Sequence, residues 1–222
     1  MVGCVLLAAG SGSRFGEKKQ FLTLNGKRLI DFSIETVSRI KEIDKVVIVL
    51  PKENLDIPVN LNKPFKKVCG GKERQYSVYN GILQLQDCEI VVIHDTARPF
   101  ATEKMFLEGI ENVRKGWDGS ITAYKSRDTV KEVKDNTVLK TLDRNSIYIV
   151  QTPQTFNYEK LLYSHKKALS DNFLATDDSA LMEREGFKIT INEGSFLNFK
   201  ITYPEDLKLA LALLTLDRNN IP

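Results

Sequence analysis

The chain is short of cysteine, histidine, net charge and long apolar runs, and each shortage removes a class of function. Its three cysteines, Cys4, Cys69 and Cys88, are scattered and odd in number. No pair has C-x-x-C or zinc-finger spacing, so neither a disulfide framework nor a thiol redox motif is present. That usage suits a reducing compartment and a cytoplasmic location. The two histidines, His94 and His165, have no cysteine or acid cluster nearby in sequence to complete a zinc site. A formal net charge of +3 does not supply the clustered basic face of a nucleic-acid binder, although it permits a local cationic pocket. No apolar segment approaches the ~20 residues that span a bilayer. The N-terminus lacks the basic n-region and cleavage site of a signal peptide. Neither an internal repeat nor a low-complexity stretch occurs. What remains is an ordinary globular composition, 42% hydrophobic and 27% charged over 222 residues, which fits a single domain over 1–222.

Two familiar glycine fingerprints are also missing from the segment where they would be expected. Val2 to Leu7 is an apolar run that reads as a buried parallel strand. It breaks into Ala8-Ala9-Gly10-Ser11-Gly12-Ser13-Arg14-Phe15-Gly16-Glu17-Lys18-Lys19-Gln20-Phe21. A dinucleotide fingerprint G-x-G-x-x-G starting at Gly10 needs glycine where Phe15 stands, and a P-loop needs Lys where Glu17 follows Gly16. Yet Gly10, Gly12 and Gly16 allow close backbone approach, and Arg14, Lys18 and Lys19 bring cations to the same short stretch. Backbone N–H groups in such a loop form an anion-binding concavity. The alternative is a flexible strand-to-helix turn with solvated charges.

The rest of the chain alternates. Ile30, Ile34 and Val37 predict a helix over 29–41, Lys45 to Leu50 a strand stopped by Pro51, and Val68-Cys69 the end of a third strand. Val78 and Ile82 mark a helix, Glu89 to His94 a strand, Phe106, Ile110 and Val113 a helix, and Gly119 to Tyr124 a fifth strand. This order predicts an α/β fold, a mostly parallel sheet sandwiched by helices, with ligands bound beyond the carboxyl ends of the strands. The loops Gly10 to Lys19, Gly70 to Arg74 and Asp95 to Arg98 should therefore converge. After Arg127 the pattern changes to a hairpin, Asp128 to Val133 and Thr137 to Leu142 around Lys134-Asp135-Asn136, within an arm at about 128–148. A lone hairpin is marginal in water and needs a surface to pack on. Ile147 to Gln151 returns as a strand before Thr152-Pro153-Gln154. Helices near 158–169 and from Asp177-Asp178 to Glu185 follow, then a strand at Lys188 to Asn192 and a helix opening at Pro204.

The opening Leu-Ala-Ala-Gly-x-Gly-x-Arg-x-Gly with Lys-Gln-Phe resembles the sugar-nucleotide pyrophosphorylase superfamily. Gly70-Gly71-x-Glu73-Arg74-x-x-Ser77-Val78, His94-Asp95-x-Ala97-Arg98-Pro99, Thr141-x-Asp143-Arg144-Asn145, Thr152-Pro153-Gln154, Thr176-Asp177-Asp178 and Lys200-Ile201-Thr202 follow in order. Together they resemble the 2-C-methyl-D-erythritol 4-phosphate cytidylyltransferase family over nearly the whole chain, with ribitol-5-phosphate cytidylyltransferase as the alternative. Asp178 stands where that family often has Glu.

The resemblance implies a Rossmann-like nucleotidyltransferase fold with a protruding β-hairpin arm, a homodimer formed through that arm, and transfer of CMP from CTP to a polyol phosphate in non-mevalonate isoprenoid synthesis. It implies Mg²⁺ carried mainly on the CTP phosphates. It assigns Arg14 and Lys19 to the reacting phosphorus, Ala8, Ala9 and Gly10 to triphosphate and cytosine, and Gly71 and Ser77 to cytosine. Asp95 and Ala97 fall beside the ribose and polyol, and Arg98, Thr129, Arg144 and Lys200 on the polyol phosphate. Other readings stay open at three positions. Ser77 fits a helix-start hydroxyl, Asp95 a cap for the next helix, and Arg74 either a structural or a phosphate-supporting role. His94, ending a strand, reads as a satisfied, partly buried side chain rather than a nucleophile or metal ligand.

Overall fold

The computed structural model describes residues 1–10, 15 and 19–215. The elements in order are β1 (Val2–Leu7), a 3₁₀ turn (Lys19–Phe21), β2 (Thr23–Leu24), β3 (Lys27–Arg28), α1 (Leu29–Arg39), β4 (Lys45–Leu50) and a second 3₁₀ turn (Lys52–Asn54). Then come β5 (Phe65–Cys69), α2 (Arg74–Ile82), β6 (Ile90–Asp95), α3 (Glu103–Arg114), β7 (Gly119–Lys125), β8 (Lys131–Lys134) and β9 (Thr137–Thr141). The chain closes with β10 (Tyr148–Asn157), α4 (Tyr158–Ser170), α5 (Asp178–Arg184), β11 (Ile189–Glu193) and α6 (Pro204–Thr215).

Among the described residues the central sheet has seven strands in the order β11-β7-β10-β6-β1-β4-β5. β1 lies at its middle and pairs in parallel with β4 and β6. Side chains of a strand alternate between faces, and β1 shows it. Cys4 and Leu6 join Ile34, Val37, Ile48 and Phe106 on one face. Val5 joins Val49, Val78, Ile82 and Phe156 on the other. Each such fully buried side chain contributes about 1.5–3 kcal/mol relative to exposure. A third cluster packs α6 through Ala210 and Leu213 onto Leu24, Leu29, Phe32 and Ile201. This packing fixes the segment that carries Lys200.

The sequence expectation needs one correction here. The stretch read as a short strand ending before Thr152-Pro153-Gln154 is one ten-residue strand, Tyr148–Asn157. It is antiparallel to both neighbours, β6 and β7. Its pairing with β7 shifts register between Val150 and Gln154. A break of this kind re-aims side chains, and here Gln151 and Thr152 line a cavity. The predicted hairpin is present as β8 and β9, paired only with each other and turning at Asp135-Asn136, both at positive φ. Every residue of both strands is exposed. The helix expected to reach residue 41 stops at Arg39, and the two-residue strands β2 and β3 were not anticipated.

Candidate active site

The described ends of the three charged loops meet at the carboxyl edge of the parallel strands. The Gly10 carbonyl accepts from the buried Gln20 side chain at 3.1 Å, which pins the start of the glycine loop. Ala8 N–H donates to Val49 O at 2.8 Å, and Gly70 N–H to Leu50 O at 2.9 Å. A Cβ added to Gly70 would stand 2.3 Å from the Ala9 Cβ. The two loops thus touch backbone to backbone, and glycine is required for that approach. Ser77 Oγ accepts from Gly71 N–H at 3.0 Å and donates to Glu73 O at 3.1 Å. The hydroxyl therefore shapes the Gly71 turn and retains one acceptor position.

Asp95 is the centre of the second half. Only 7% exposed, its carboxylate accepts from Lys200 Nζ at 2.6 Å and from Arg74 Nε at 3.1 Å. It does not cap the following helix, which starts at Glu103 under Thr102. Burial would raise its pKa, but Arg74, Lys200 and Arg98 outweigh that and hold it well below the usual carboxylate range. Its N–H donates to Thr152 Oγ1 at 3.0 Å. Arg98 donates from NH1 to Asn198 O at 2.8 Å, while its Nε is buried without a partner. Burial lowers the Arg98 pKa. Ala97 is buried, and its carbonyl accepts from Ile201 N–H at 2.9 Å, tying the Asp95 turn to the Lys200 segment.

Arg74, Asp95, Arg98 and Lys200 line one cavity of about 460 Å³ together with Thr152, Gln154, Asp177 and Glu183. The neighbouring strand residue, His94, points the other way and is fully buried. Its Nδ1 lies 3.1 Å from Thr152 Oγ1 and its Nε2 3.2 Å from Ser33 Oγ. Burial pushes its pKa down to about 3, so it is neutral; it is satisfied, as the sequence suggested, and more deeply buried than the sequence suggested. Thr129 and Arg144 do not line this cavity; both are exposed on the arm. Arg14 and the Lys19 side chain lie outside the described residues, although Lys19 opens the first 3₁₀ turn.

Sequence reasoning assigned no role to Gln20, Thr152, Asp178 or Asn198. Thr152 and Asp178 stand in quoted motifs, but nothing local shows that one holds the Asp95 backbone and the other holds Arg74. Asn198 Nδ2 donates to Thr152 O at 3.0 Å and to Gln151 Oε1 at 3.2 Å, fixing the approach to Lys200. No helix among the described residues is long and apolar enough to cross a membrane.

A mostly parallel seven-stranded sheet flanked by helices, with a glycine turn and a cation-ringed carboxylate at its carboxyl edge, defines an α/β nucleotidyltransferase. Residues 2–216 match the family model described as IspD, 2-C-methyl-D-erythritol 4-phosphate cytidylyltransferase. The enzyme of that name from Aquifex aeolicus is 47% identical, covering 96% of this chain and 98% of its own. That from Caldanaerobacter subterraneus is 42% identical, covering 94% and 96%. The crystal structure of 4-diphosphocytidyl-2C-methyl-D-erythritol synthase from Anaerococcus prevotii superposes with a TM-score of 0.87 at 35% identity, covering 97% of this chain and 96% of that one. The chain belongs to the 2-C-methyl-D-erythritol 4-phosphate cytidylyltransferase family and is an enzyme, a cytidylyltransferase.

Proposed function

We propose that Asp95, with Arg98 and Lys200, forms the polyol-phosphate half of a site whose nucleotide half is the Ala8-Ala9-Gly10 and Gly71-Ser77 edge. The reaction is that of the family: CTP and 2-C-methyl-D-erythritol 4-phosphate give 4-diphosphocytidyl-2-C-methyl-D-erythritol and pyrophosphate, a step of isoprenoid precursor synthesis. A phosphate oxygen of the polyol substrate attacks the α-phosphorus of CTP, and the bond to the β-phosphate oxygen breaks. The nucleophile is already an anion, so the site needs no general base. It needs to bring two anions together and to offset charge on the α-phosphoryl oxygens and the leaving group. Arg14 and Lys19 serve the reacting phosphorus. Arg98 and Lys200 hold the incoming phosphate, and Asp95 orients Lys200 while accepting from substrate hydroxyls beside Ala97.

The observation that carries this reading is the Asp95 carboxylate ringed by Arg74 and Lys200 in the same cavity as Arg98, next to the glycine turns. Nucleotidyltransferases commonly use a divalent metal. Among the described residues no group of three or more His, Cys, Asp and Glu is placed to hold one. Asp95 already accepts from two cations, so these residues do not form a metal cage. Mg²⁺ is assigned to the CTP phosphates, where it offsets their charge, and no step is routed through the protein to it.

The arm supports a homodimer in a cytoplasmic enzyme, with residues 1–222 acting as one domain. Val133 and Val138, a cross-strand pair, and Leu139 are each more than half exposed, and Tyr148, Ile149 and Val150 at the start of β10 are exposed as well. A small hairpin bearing such a face is stabilised by covering it. A partner's arm would then bring Thr129 and Arg144 to the polyol phosphate, which accounts for their distance from the cavity in their own chain. Pyrophosphate release measured with each of the four nucleoside triphosphates against the erythritol and ribitol phosphates tests the function. CTP with the methylerythritol phosphate should outperform every other pairing, and equal turnover with all four nucleotides would overturn the assignment.

A further inference from the structure

Behind Asp95 runs a chain of buried charge that the reaction does not touch. Arg74 divides its guanidinium between two carboxylates: Nε donates to Asp95, and NH1 donates to Asp178 Oδ2 at 2.7 Å. The Asp178 side chain is 1% exposed, and its other oxygen lies 3.2 Å from His165 Nε2 on α4. An ionised carboxylate only accepts hydrogen bonds, so Nε2 carries the proton. The remaining ring nitrogen, His165 Nδ1, is buried without a partner. The imidazole stacks on Tyr79 of α2 at 6.0 Å between centroids, 24° from parallel, which fixes its plane.

We propose that Asp178 and His165 are positioning residues for the polyol-phosphate half of the site, acting through Arg74. A guanidinium beside a single carboxylate tends to form a bidentate pair. Asp178 holds NH1 and so fixes the orientation of the guanidinium, in which Nε donates to one Asp95 oxygen and the other is left for Lys200. His165 in turn directs the Asp178 carboxylate toward Arg74. Without Asp178 the guanidinium is free to turn until Nε and NH2 both face Asp95, and Arg74 then competes with Lys200 for the oxygen that orients it. On this reading Arg74 supports Asp95 rather than contacting the phosphate directly. Burial would raise the Asp178 pKa, but Arg74 and His165 lower it on balance, which agrees with an anion in this place.

This inference rests on the reading of Asp95 and Lys200 given above, and the test separates the two. Steady-state pyrophosphate release is measured with each substrate varied in turn, alongside the thermal midpoint. Asp178→Asn keeps the shape and removes the charge. It should lower kcat/KM for the polyol phosphate roughly ten- to a hundredfold, in line with the cost of a misplaced group, while KM for CTP stays within about threefold of the parent. Asp178→Glu should recover most of that loss. His165→Leu should reproduce the pattern more mildly, and His165→Gln, which keeps a donor, should recover it. A uniform loss in both substrates, or a fall in thermal midpoint with normal kinetics below it, would show a structural role only and overturn the proposal. If Asp178→Asn does not fold, the His165 pair decides by the same criterion. If Asp95→Asn and Lys200→Gln leave the polyol-phosphate kinetics unchanged, the site reading itself fails. If they are impaired while the Asp178 and His165 variants are not, only this inference fails.

Discussion

Lys200 and Asp95 are 105 positions apart and share a 2.6 Å hydrogen bond at the mouth of the cavity. One stands at the end of β6, the other just before Ile201, whose side chain is buried under α6. The pair joins the end of β6 to the segment that leads into α6. It is therefore both a structural contact and the electrostatic focus of the proposed chemistry.

Removing Asp95 takes the Lys200 ammonium's carboxylate partner away, and removing Lys200 leaves the buried Asp95 with Arg74 as its ion-pair partner. Asp95→Asn and Lys200→Gln should each reduce kcat/KM for the polyol phosphate on the order of 10²–10³, comparable to losing one charge-stabilising donor. KM for CTP should change little. Steady-state kinetics with each substrate varied checks this, and a selective effect on CTP would assign the pair to the nucleotide instead.

The nucleotide edge is tested at Gly70. Any side chain there meets the Ala9 Cβ at 2.3 Å and the Ser77 hydroxyl at 3.1 Å. Gly70→Ala must push the β1 turn away, and we expect KM for CTP to rise on the order of ten- to a hundredfold. KM for the polyol phosphate should move far less. Unchanged CTP kinetics would remove this contact from nucleotide binding.

Stability below neutrality should carry the signature of His94. Its folded pKa of about 3 lies below the usual histidine value. Between those two values the unfolded chain holds a proton that the folded one excludes. Stability is thus undiminished above roughly pH 6.5 and falls as pH drops toward 3, by up to about 1.4 kcal/mol per unit from this group. Asp95 and Asp178, depressed instead, add their own losses only below about pH 4. Denaturant melts at pH 7, 6 and 5 should show that slope, and His94→Gln should flatten it. An equal slope in the variant would contradict the assignment.

Much of this was legible in the sequence where the signal is local. β1, β4 and β6 are continuous apolar runs because both faces of the sheet are covered. The glycine turns and Asp95 stood out because loops at strand ends converge in a parallel sheet, whereas Lys200 was legible only through the family resemblance. The length and direction of β10 were not legible, since Pro153 and the polar residues around it mimic a turn. Two-residue strands such as β2 carry no periodicity to read. Arg74 stayed ambiguous because one of its partners, Asp178, lies 104 positions away. Only the packing of α2 against α4, and of α4 against α5, brings them together. Thr129 and Arg144 could be placed on an arm by the hairpin pattern, yet what that arm covers is not written in its own strands.

In the proposed assembly each site is completed by the arm of a second copy. Arg144→Ala chains and Lys19→Ala chains, each inactive alone, are mixed and allowed to exchange, with exchange followed independently by mass-tagged subunits. If Arg144 acts in the partner's site, each mixed dimer holds one site lacking both groups and one site with both intact. Pyrophosphate release should then return toward a quarter of the parent rate at equal mixing, an order-of-magnitude expectation for random pairing. Arg144→Lys alone should remain impaired, because a lysine cannot reproduce the forked donors of arginine on a phosphate. No recovery in confirmed mixed dimers, or a fully active monomer at the assay concentration, would contradict the account.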